Sequence, residues 1–164
     1  MTKYFHSIIW SILLVTQFIL VVFFNYVNQN QNSLLLWLGI ILWIISVIFG
    51  FLPIIIFKRK GNVKKGESYV HTNKLVKIGL YSIIRHPQYT AGILLSLALI
   101  FVSQTIVIVL LGLGVIPLLY FDILKADEYN IKKFGEEYKE YMKNVPGINF
   151  ILGIIRLIKI KSKV

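Results

Sequence analysis

The sequence predicts an all-α integral membrane protein with four transmembrane helices, the last two forming a tight hairpin, and amphipathic cytosolic helices at the C-terminus. Hydrophobic residues make up 57% of the 164, and the mean hydropathy is +0.74. Too few polar residues remain to coat a soluble globule. The length suits one compact domain, so residues 1–164 are predicted to form a single membrane domain.

The first two spans are predicted at residues 7–27 and 34–57. Each is long enough to cross a bilayer, which takes ~20 residues. Only Lys3 precedes the first run and no small-residue cleavage pattern follows it, so we expect a retained helix rather than a signal peptide. The uncharged linker NQNQNS separates the two spans.

The apolar stretch from residue 87 to residue 124 is too long for one span. A single helix of that length would measure ~57 Å at 1.5 Å per residue, against a hydrocarbon core of ~30 Å. Its polar cluster SQT, residues 103–105, is the expected turn. The sequence therefore predicts spans at 87–102 and 106–124.

The basic residues support this four-span topology. Lys3, eight Lys/Arg in residues 58–85 and nine from Lys125 onward account for all 18. Four spans place these three regions on one side, which the positive-inside rule makes cytoplasmic, with both termini inside. The net charge of +11 then indicates anionic lipid rather than nucleic acid as the partner. Cytosolic helices are predicted at 126–143 and 148–160, the second an interfacial basic helix.

The first cluster with chemical potential is GLYSIIRHPQYTAG, residues 79–92. Pro87 suits the first position of a helix, so Arg85 and His86 would lie at its positive end, which attracts anions. Arginine adds a bidentate donor for carboxylate or phosphate. The competing interpretation is that Arg85 snorkels to lipid headgroups and the nearby tyrosines belong to an interfacial aromatic belt.

The second cluster is the acidic pair Asp127-Glu128, just after the last predicted span. Acids at a membrane boundary are costly and often functional, although a solvated acidic turn that pairs with lysines fits the charge pattern as well. The three histidines are far apart and there is no cysteine, so no metal site is predicted. No phosphate-binding glycine motif is present, which argues against a Rossmann domain.

The ordered motifs G-x-Y-x-x-x-R-H-P-x-Y-x-x-G and F-G-x-x-Y-x-x-Y-x-x-x-V-P, which start at Gly79 and Phe134, resemble the isoprenylcysteine carboxyl methyltransferase family. That family is similar in turn to the phospholipid N-methyltransferases. The resemblance implies S-adenosylmethionine as methyl donor, bound at the cytosolic face. It implies cofactor contacts at Leu75, Val76, Gly79, Tyr81, His86, Pro87, Gln88, Tyr89, Asp127 and Glu128, and catalytic roles for Arg85 and Glu128.

The methyl acceptor implied by the resemblance is a lipid-like molecule, with an isoprenylcysteine carboxylate first. A phenol or enol oxygen or a phospholipid amine stays open, because the arginine that the family commonly has before the acids is absent and only Lys125 is nearby. A carboxylate needs no base, whereas a phenol or amine must lose a proton. Two other classes remain: a membrane reductase that uses a nicotinamide cofactor, and a non-catalytic membrane protein.

Overall fold

A computed structural model describes residues 5–61 and 73–162, and every regular element within them is helical. Residues 62–72 of the basic loop lie outside the described residues. The helices are α1 Phe5–Val22, α2 Ser33–Lys60, a 3-10 helix Gly79–Ser82, α3 Pro87–Ser103, α4 Ile106–Phe134, α5 Glu136–Asn144 and α6 Phe150–Lys161.

Three helices of the described residues, α1, α2 and α4, are long and apolar enough to cross a membrane. The chain is therefore a membrane protein. The fourth apolar helix, α3, has 17 residues. It is shorter than the other three, because its apolar run stops at the polar SQT cluster. Gln104, in the turn that follows α3, has a left-handed backbone with φ of 53°.

Helix α1 ends five residues earlier than the predicted span 7–27. Its last residue is Val22, although the sequence stays apolar to Val27. The backbone leaves the helix at Asn25, whose φ is 48°, and the N–H of Asn28 donates to the carbonyl of Ser103 at 2.8 Å. A polar turn thus replaces the last helical turn that the hydropathy predicts.

Helix α4 continues ten residues past the predicted end of its span at residue 124. The predicted cytosolic helix 126–143 is therefore wrong as a single element: its first part belongs to α4, and Gly135 separates it from α5. Gly135 has φ of 58°, a conformation that glycine adopts without strain, so the helix axis can change there. Helix α6 begins at Phe150, two residues after the predicted start.

The described residues divide into two compact units. Unit 1 comprises residues 5–48 and 89–124, and unit 2 comprises residues 49–61, 73–88 and 125–162. In unit 1, Val21, Leu99 and Ile108 form a buried apolar cluster. In unit 2, the buried cluster contains Tyr138, Tyr141 and Val145.

Unit 1 also buries one polar contact between helices. The Gln17 side chain is fully buried and donates to the carbonyl of Ile108 at 2.9 Å, while Ser96 donates to it at 2.9 Å. Gly112 leaves room for this contact, because a Cβ there would come within 3.1 Å of the Gln17 amide nitrogen. The polar side chain therefore joins α1 to α3 and α4.

In unit 2, helix α6 packs directly on the chain just before α3. A Cβ at Gly153 would lie 2.1 Å from the carbonyl oxygen of Ile83, so only glycine allows this approach. Arg156 donates to the carbonyl of Ser82 at 3.1 Å, and the Asn149 side chain caps the helix N-terminus. These contacts hold α6 against the segment that carries the first candidate motif.

Candidate active site

The first motif begins with a left-handed glycine that permits close packing. Gly79 has φ of 62°, and a Cβ there would come within 2.9 Å of Ile56. The following 3-10 helix buries Tyr81, whose ring stacks on Phe57 with centroids 4.6 Å apart. The hydroxyl of Tyr141 donates to the Tyr81 carbonyl, so both the side chain and the backbone of Tyr81 are held by residues of unit 2.

The centre of the site is the buried carboxylate of Asp127, which accepts four hydrogen bonds. Arg85 donates from Nη2 at 2.9 Å and from Nε at 3.4 Å. His86 donates from Nε2 at 2.7 Å and the Tyr138 hydroxyl donates at 2.5 Å. Arginine in this fork geometry neutralises a carboxylate bidentately, which makes the burial of the acid tolerable.

Arg85 also ties the C-terminal segment to this centre. Its Nη1 donates to the carbonyls of Val145 and Met142, the latter at 3.2 Å. The backbone N–H groups of Arg85 and the next residue donate to Pro146 at 2.9 Å and Gly147 at 3.0 Å. The Arg85 side chain thus donates two hydrogen bonds to Asp127 and two to backbone carbonyls, which makes it a positioning residue.

The two acids of the pair have opposite environments. Asp127 is 8% exposed, whereas Glu128 is exposed and forms no ion pair among the residues that the structure describes. Successive residues on a helix lie about 100° apart around its axis. One acid therefore belongs to the hydrogen-bonded centre, and the other is accessible to a ligand.

The two buried tyrosines of α5 have raised pKa values, which keeps them neutral. Burial, and then the hydrogen bond to Asp127, raises the pKa of Tyr138 well above its usual range. Burial raises the pKa of Tyr141 in the same direction, with a smaller contribution from Tyr138. A neutral Tyr138 is a hydrogen-bond donor, which is the role that the Asp127 carboxylate requires.

A small cavity adjoins this centre within unit 2. Its volume is about 50 Å³, and five of its nine lining residues are aromatic. The lining consists of Phe57, Leu75, Val76, Tyr81, Arg85, Asn130, Phe134, Tyr138 and Tyr141. Aromatic faces combined with a few polar groups are typical of small-molecule sites.

The structure brings some of the predicted site residues together. Leu75, Val76, Tyr81 and Arg85 line the cavity, and His86 and Asp127 bond to each other beside it. The other five predicted contacts, Tyr89 among them, lie outside the lining. Gly79 starts the 3-10 helix, Pro87 and Gln88 start α3, and Glu128 is exposed on α4. Tyr89 is half-buried in the first turn of α3 and belongs to unit 1.

Five lining residues were missed by the sequence reasoning. Three of them, Phe134, Tyr138 and Tyr141, are the aromatic positions of the F-G-x-x-Y-x-x-Y motif, which spans the end of α4 and the start of α5. The family resemblance rests in part on this motif, but it implies no cofactor contact at these three positions. Phe57 and Asn130 carry no comparable signal, because they lie in otherwise unremarkable stretches of α2 and α4.

The helices and the polar centre define a membrane protein with a cavity suited to a small ligand. The family model for phospholipid methyltransferases matches residues 34–136, and the chain belongs to that family. It is accordingly a membrane methyltransferase. No curated protein and no solved structure matches the chain.

Proposed function

We propose that this protein transfers a methyl group from S-adenosylmethionine to a lipid-like acceptor at the cytosolic face of a membrane. The observation that carries the proposal is the aromatic cavity beside Asp127, since most of its lining lies within the family match. Seven of the nine lining residues, from Phe57 to Phe134, fall inside residues 34–136.

The chemistry of the cavity fits S-adenosylmethionine. Tyrosine and phenylalanine faces attract a sulfonium cation and stack on an adenine ring. The Asn130 amide and the Tyr138 hydroxyl offer hydrogen-bonding groups at the same wall. The volume of about 50 Å³ is below the ~300 Å³ at which small-molecule pockets begin, so the cavity as it stands holds only part of the cofactor.

Each residue then has a task in binding or positioning. Leu75, Val76 and Tyr81 are proposed as direct cofactor contacts, because they line the cavity. Asp127 and Arg85 fix the cavity wall through their mutual hydrogen bonds. Glu128 is the acid of the pair whose carboxylate can reach a ligand, since it is exposed. We retain Gly79, His86, Pro87, Gln88 and Tyr89 as proposed contacts on the resemblance alone.

When bound, the cofactor supplies a methyl group on a sulfonium, and transfer breaks the S–C bond, forms a bond to the acceptor and leaves a neutral thioether. The protein's contribution is to hold the reacting atoms in line and to exclude water. The apolar and aromatic lining does both. Two acceptors are proposed: a carboxylate of the isoprenylcysteine type, on the motif resemblance, and a phospholipid amine, which the family match supports equally.

We further propose that α3 is a fourth membrane crossing and that both termini are cytoplasmic. Its 17 residues fall at the lower end of the range of ~17–25 that crosses a bilayer. Helix α6 is proposed to lie on anionic lipid. Arg156 and Lys159 alternate there with the exposed apolar side chains Ile151, Leu152, Ile154, Ile155, Ile158 and Ile160.

The proposal is tested by supplying methyl-labelled S-adenosylmethionine to membranes that contain the protein, then extracting lipid and treating it with mild base. We expect label in the lipid fraction. Release as methanol identifies a methyl ester, and base-stable label identifies an ether or an N-methyl group. Labelled lipid that equals protein-free membranes, together with no cofactor binding, overturns the proposal.

Matched variants locate the cofactor. Val76→Trp fills the cavity, because Val76 is 6% exposed and lines it, and should abolish binding of the labelled cofactor. Val47→Trp is the control, since Val47 is 47% exposed in unit 1. Glu128→Gln tests the exposed acid, and His86→Ala tests the hydrogen-bonded centre. Equal cofactor binding by the two tryptophan variants would place the cofactor elsewhere.

A further inference from the structure

A second cavity in unit 2 is polar and adjoins the candidate active site. Its volume is about 210 Å³, and it lies among the segment 77–82, α5 and α6. The lining consists of Lys77, Ser82, Glu140, Tyr141, Asn144, Val145 and Arg156. Tyr141 lines the aromatic cavity as well, and the other six residues do not. This polar cavity is therefore a separate place, and the proposed methyl transfer assigns no ligand to it.

Arg156 supplies a half-buried guanidinium to the polar cavity. Its Nη1 donates to the carbonyl of Ser82 at 3.1 Å, which fixes the side chain against the cavity wall. A guanidinium carries five N–H donors, and a phosphate accepts two of them at once. Lys77 brings a second cation to the same lining, where its ammonium pairs with the exposed Glu137 at 2.7 Å.

The acid in the lining does not cancel these two cations. Glu140 is paired with Lys143 at 3.2 Å, and its carboxylate accepts from Asn144 at 3.1 Å. The sequence of unit 2, with residues 62–72 included, has 17 Lys/Arg against six Asp/Glu. The positive excess of this unit thus holds whichever acid approaches Arg156. Such a surface attracts an anion, so the ligand expected in the polar cavity is negatively charged.

Arg156 also borders an apolar cavity of about 390 Å³ along α6. Leu152 and Ile155 line it and are 56% and 44% exposed, which is unfavourable in water and favourable against acyl chains. The full lining is Leu152, Ile155, Arg156, Lys159, Ile160 and Ser162. One arginine thus lies between a polar cavity and an apolar surface. A lipid has the same order of groups, a charged headgroup followed by a chain, whereas a free phosphate uses the polar cavity alone.

We propose that the polar cavity binds the headgroup of an anionic lipid, with its phosphate on Arg156 and Lys77 and an acyl chain along the apolar side chains of α6. The inference rests on the proposed placement of α6 on anionic lipid, to which it adds one defined headgroup site, and it does not depend on methyl transfer. The lipid is a bound ligand here and not the methyl acceptor. Because it joins α5, α6 and the chain before α3, its binding stabilises the folded state.

Lipid binding at a fixed ratio separates this site from a general attraction of lipid. The purified protein in neutral detergent is titrated with phosphatidylglycerol and, separately, with phosphatidylcholine of the same chain length, and retained lipid is counted by native mass spectrometry. Both lipids carry a phosphate, but only the first has a net negative charge. We expect a single phosphatidylglycerol to bind saturably and at least about tenfold more tightly. Equal binding of the two lipids overturns the inference.

The decisive variant is Arg156→Gln, which removes the charge and keeps an amide that can donate to Ser82. We expect it to bind phosphatidylglycerol at least about tenfold more weakly, because a charge-assisted contact is lost. Lys77→Gln tests the same site at a side chain that is 42% exposed, and should weaken binding by a smaller factor.

Arg59→Gln is the matched control for Arg156→Gln. Arg59 is an exposed arginine on α2 within unit 2, and it lines neither cavity. Its substitution changes the net charge by the same amount and should leave the affinity for phosphatidylglycerol unchanged. Equal weakening by Arg156→Gln and Arg59→Gln would mean that the lipid responds to overall charge alone, which overturns the inference.

Two further measurements identify the source of the anion and the cavity that it occupies. Glycerol phosphate, added as a competitor, should displace phosphatidylglycerol far less readily than unlabelled phosphatidylglycerol does. Displacement by both at equal concentration shows that the acyl chain contributes nothing and overturns the lipid assignment. Val76→Trp, which fills the aromatic cavity, should retain phosphatidylglycerol, and loss of the lipid in that variant places it in the aromatic cavity instead.

Failure of this inference and failure of the proposed function give different results. Selective phosphatidylglycerol binding that depends on Arg156, in a protein that labels no lipid, supports the headgroup site and rejects methyl transfer. Labelled lipid in a protein that does not distinguish phosphatidylglycerol from phosphatidylcholine supports methyl transfer and rejects the headgroup site.

Discussion

Two buried carboxylates, Asp122 and Asp127, lie five residues apart on α4 and have different partners. Asp127 accepts from a partly buried arginine, a histidine and a tyrosine. Asp122 accepts from a serine and a tryptophan, neither of which carries charge. Within residues 5–61 and 73–162, one acid is paired with a charged side chain and the other accepts from neutral donors.

The difference is one of charge compensation: Asp127 is paired with an arginine, and Asp122 has neutral donors among the described residues. A carboxylate paired bidentately with arginine has its charge balanced and contributes through the contacts it organises. A carboxylate with neutral donors keeps its charge available to a cation. Substitutions in these two environments should therefore differ in their effect on the free energy of unfolding.

The largest effect is expected from removing the charge of Asp127. Asp127→Asn leaves the partly buried Arg85 without its counter-charge and should lower the free energy of unfolding by roughly 3–5 kcal/mol. Asp122→Asn, which breaks no ion pair among the described residues, should cost less than about 1.5 kcal/mol. Thermal unfolding in detergent, followed by circular dichroism, measures both.

Glu128→Gln is the control for the Asp127 prediction, because this neighbouring acid is exposed. Its effect should stay within about 0.5 kcal/mol. Similar losses of unfolding free energy for Asp127→Asn and Asp122→Asn would mean that both acids stabilise the fold to the same extent.

A smaller effect is expected from the tyrosine that donates to Asp127. Tyr138→Phe removes one hydrogen bond to a charged group and should cost about 1.5–3 kcal/mol. Tyr129→Phe is the matched control, since Tyr129 is 60% exposed. An unchanged unfolding temperature for Tyr138→Phe would show that the arginine and histidine alone satisfy the carboxylate.

The raised pKa values of Tyr138 and Tyr141 predict a pH dependence at the alkaline end. In the unfolded chain a tyrosine ionises near its ordinary pKa of about 10. The folded state holds the proton more tightly, so this stability is complete below about pH 10 and is lost as the pH rises towards the raised values. Unfolding temperatures of the unaltered protein and of Tyr138→Phe should converge over that range.

The smallest effect is expected at the neutral donors of Asp122. Ser7→Ala removes one donor and leaves Trp10, so the cost should be about 1 kcal/mol. Ser11→Ala is the control, because its hydroxyl bonds to the Ser7 carbonyl within α1. A loss for Ser7→Ala as large as that for Asp127→Asn would mean that the contact of Asp122 with α1 stabilises the fold as strongly as the Asp127 centre does.

Much of the fold could be predicted because hydropathy and length act locally. The apolar runs of α1, α2 and α4 and the polar turn at residues 103–105 are visible in the composition of short windows. The errors fall at helix ends. Asn25 and Gly135 change the backbone direction where hydropathy alone predicts continuation, since a turn depends on a few backbone angles rather than on average polarity.

Part of the candidate site could also be predicted, because some of its residues give a local signal in the sequence. Arg85, His86 and the acidic pair stand out as charges beside apolar runs, which is a local signal. Phe57 and Asn130 do not, because only packing against distant residues gives them a place at the cavity. The contacts of Asp122 were likewise missed, since its donors are 115 and 112 residues away along the chain.

The sequence by itself determined that this is a helical membrane chain with its basic residues confined to three regions, because the hydrophobic effect sorts residues by composition and length. Only the tertiary structure decided which acid is buried, which is exposed and which partners each one has. Those outcomes depend on pairings such as Arg85 with Asp127, which lie 42 residues apart. Hydrogen bonds form between the groups that packing brings within about 3 Å, and that distance is not encoded in any local stretch of sequence.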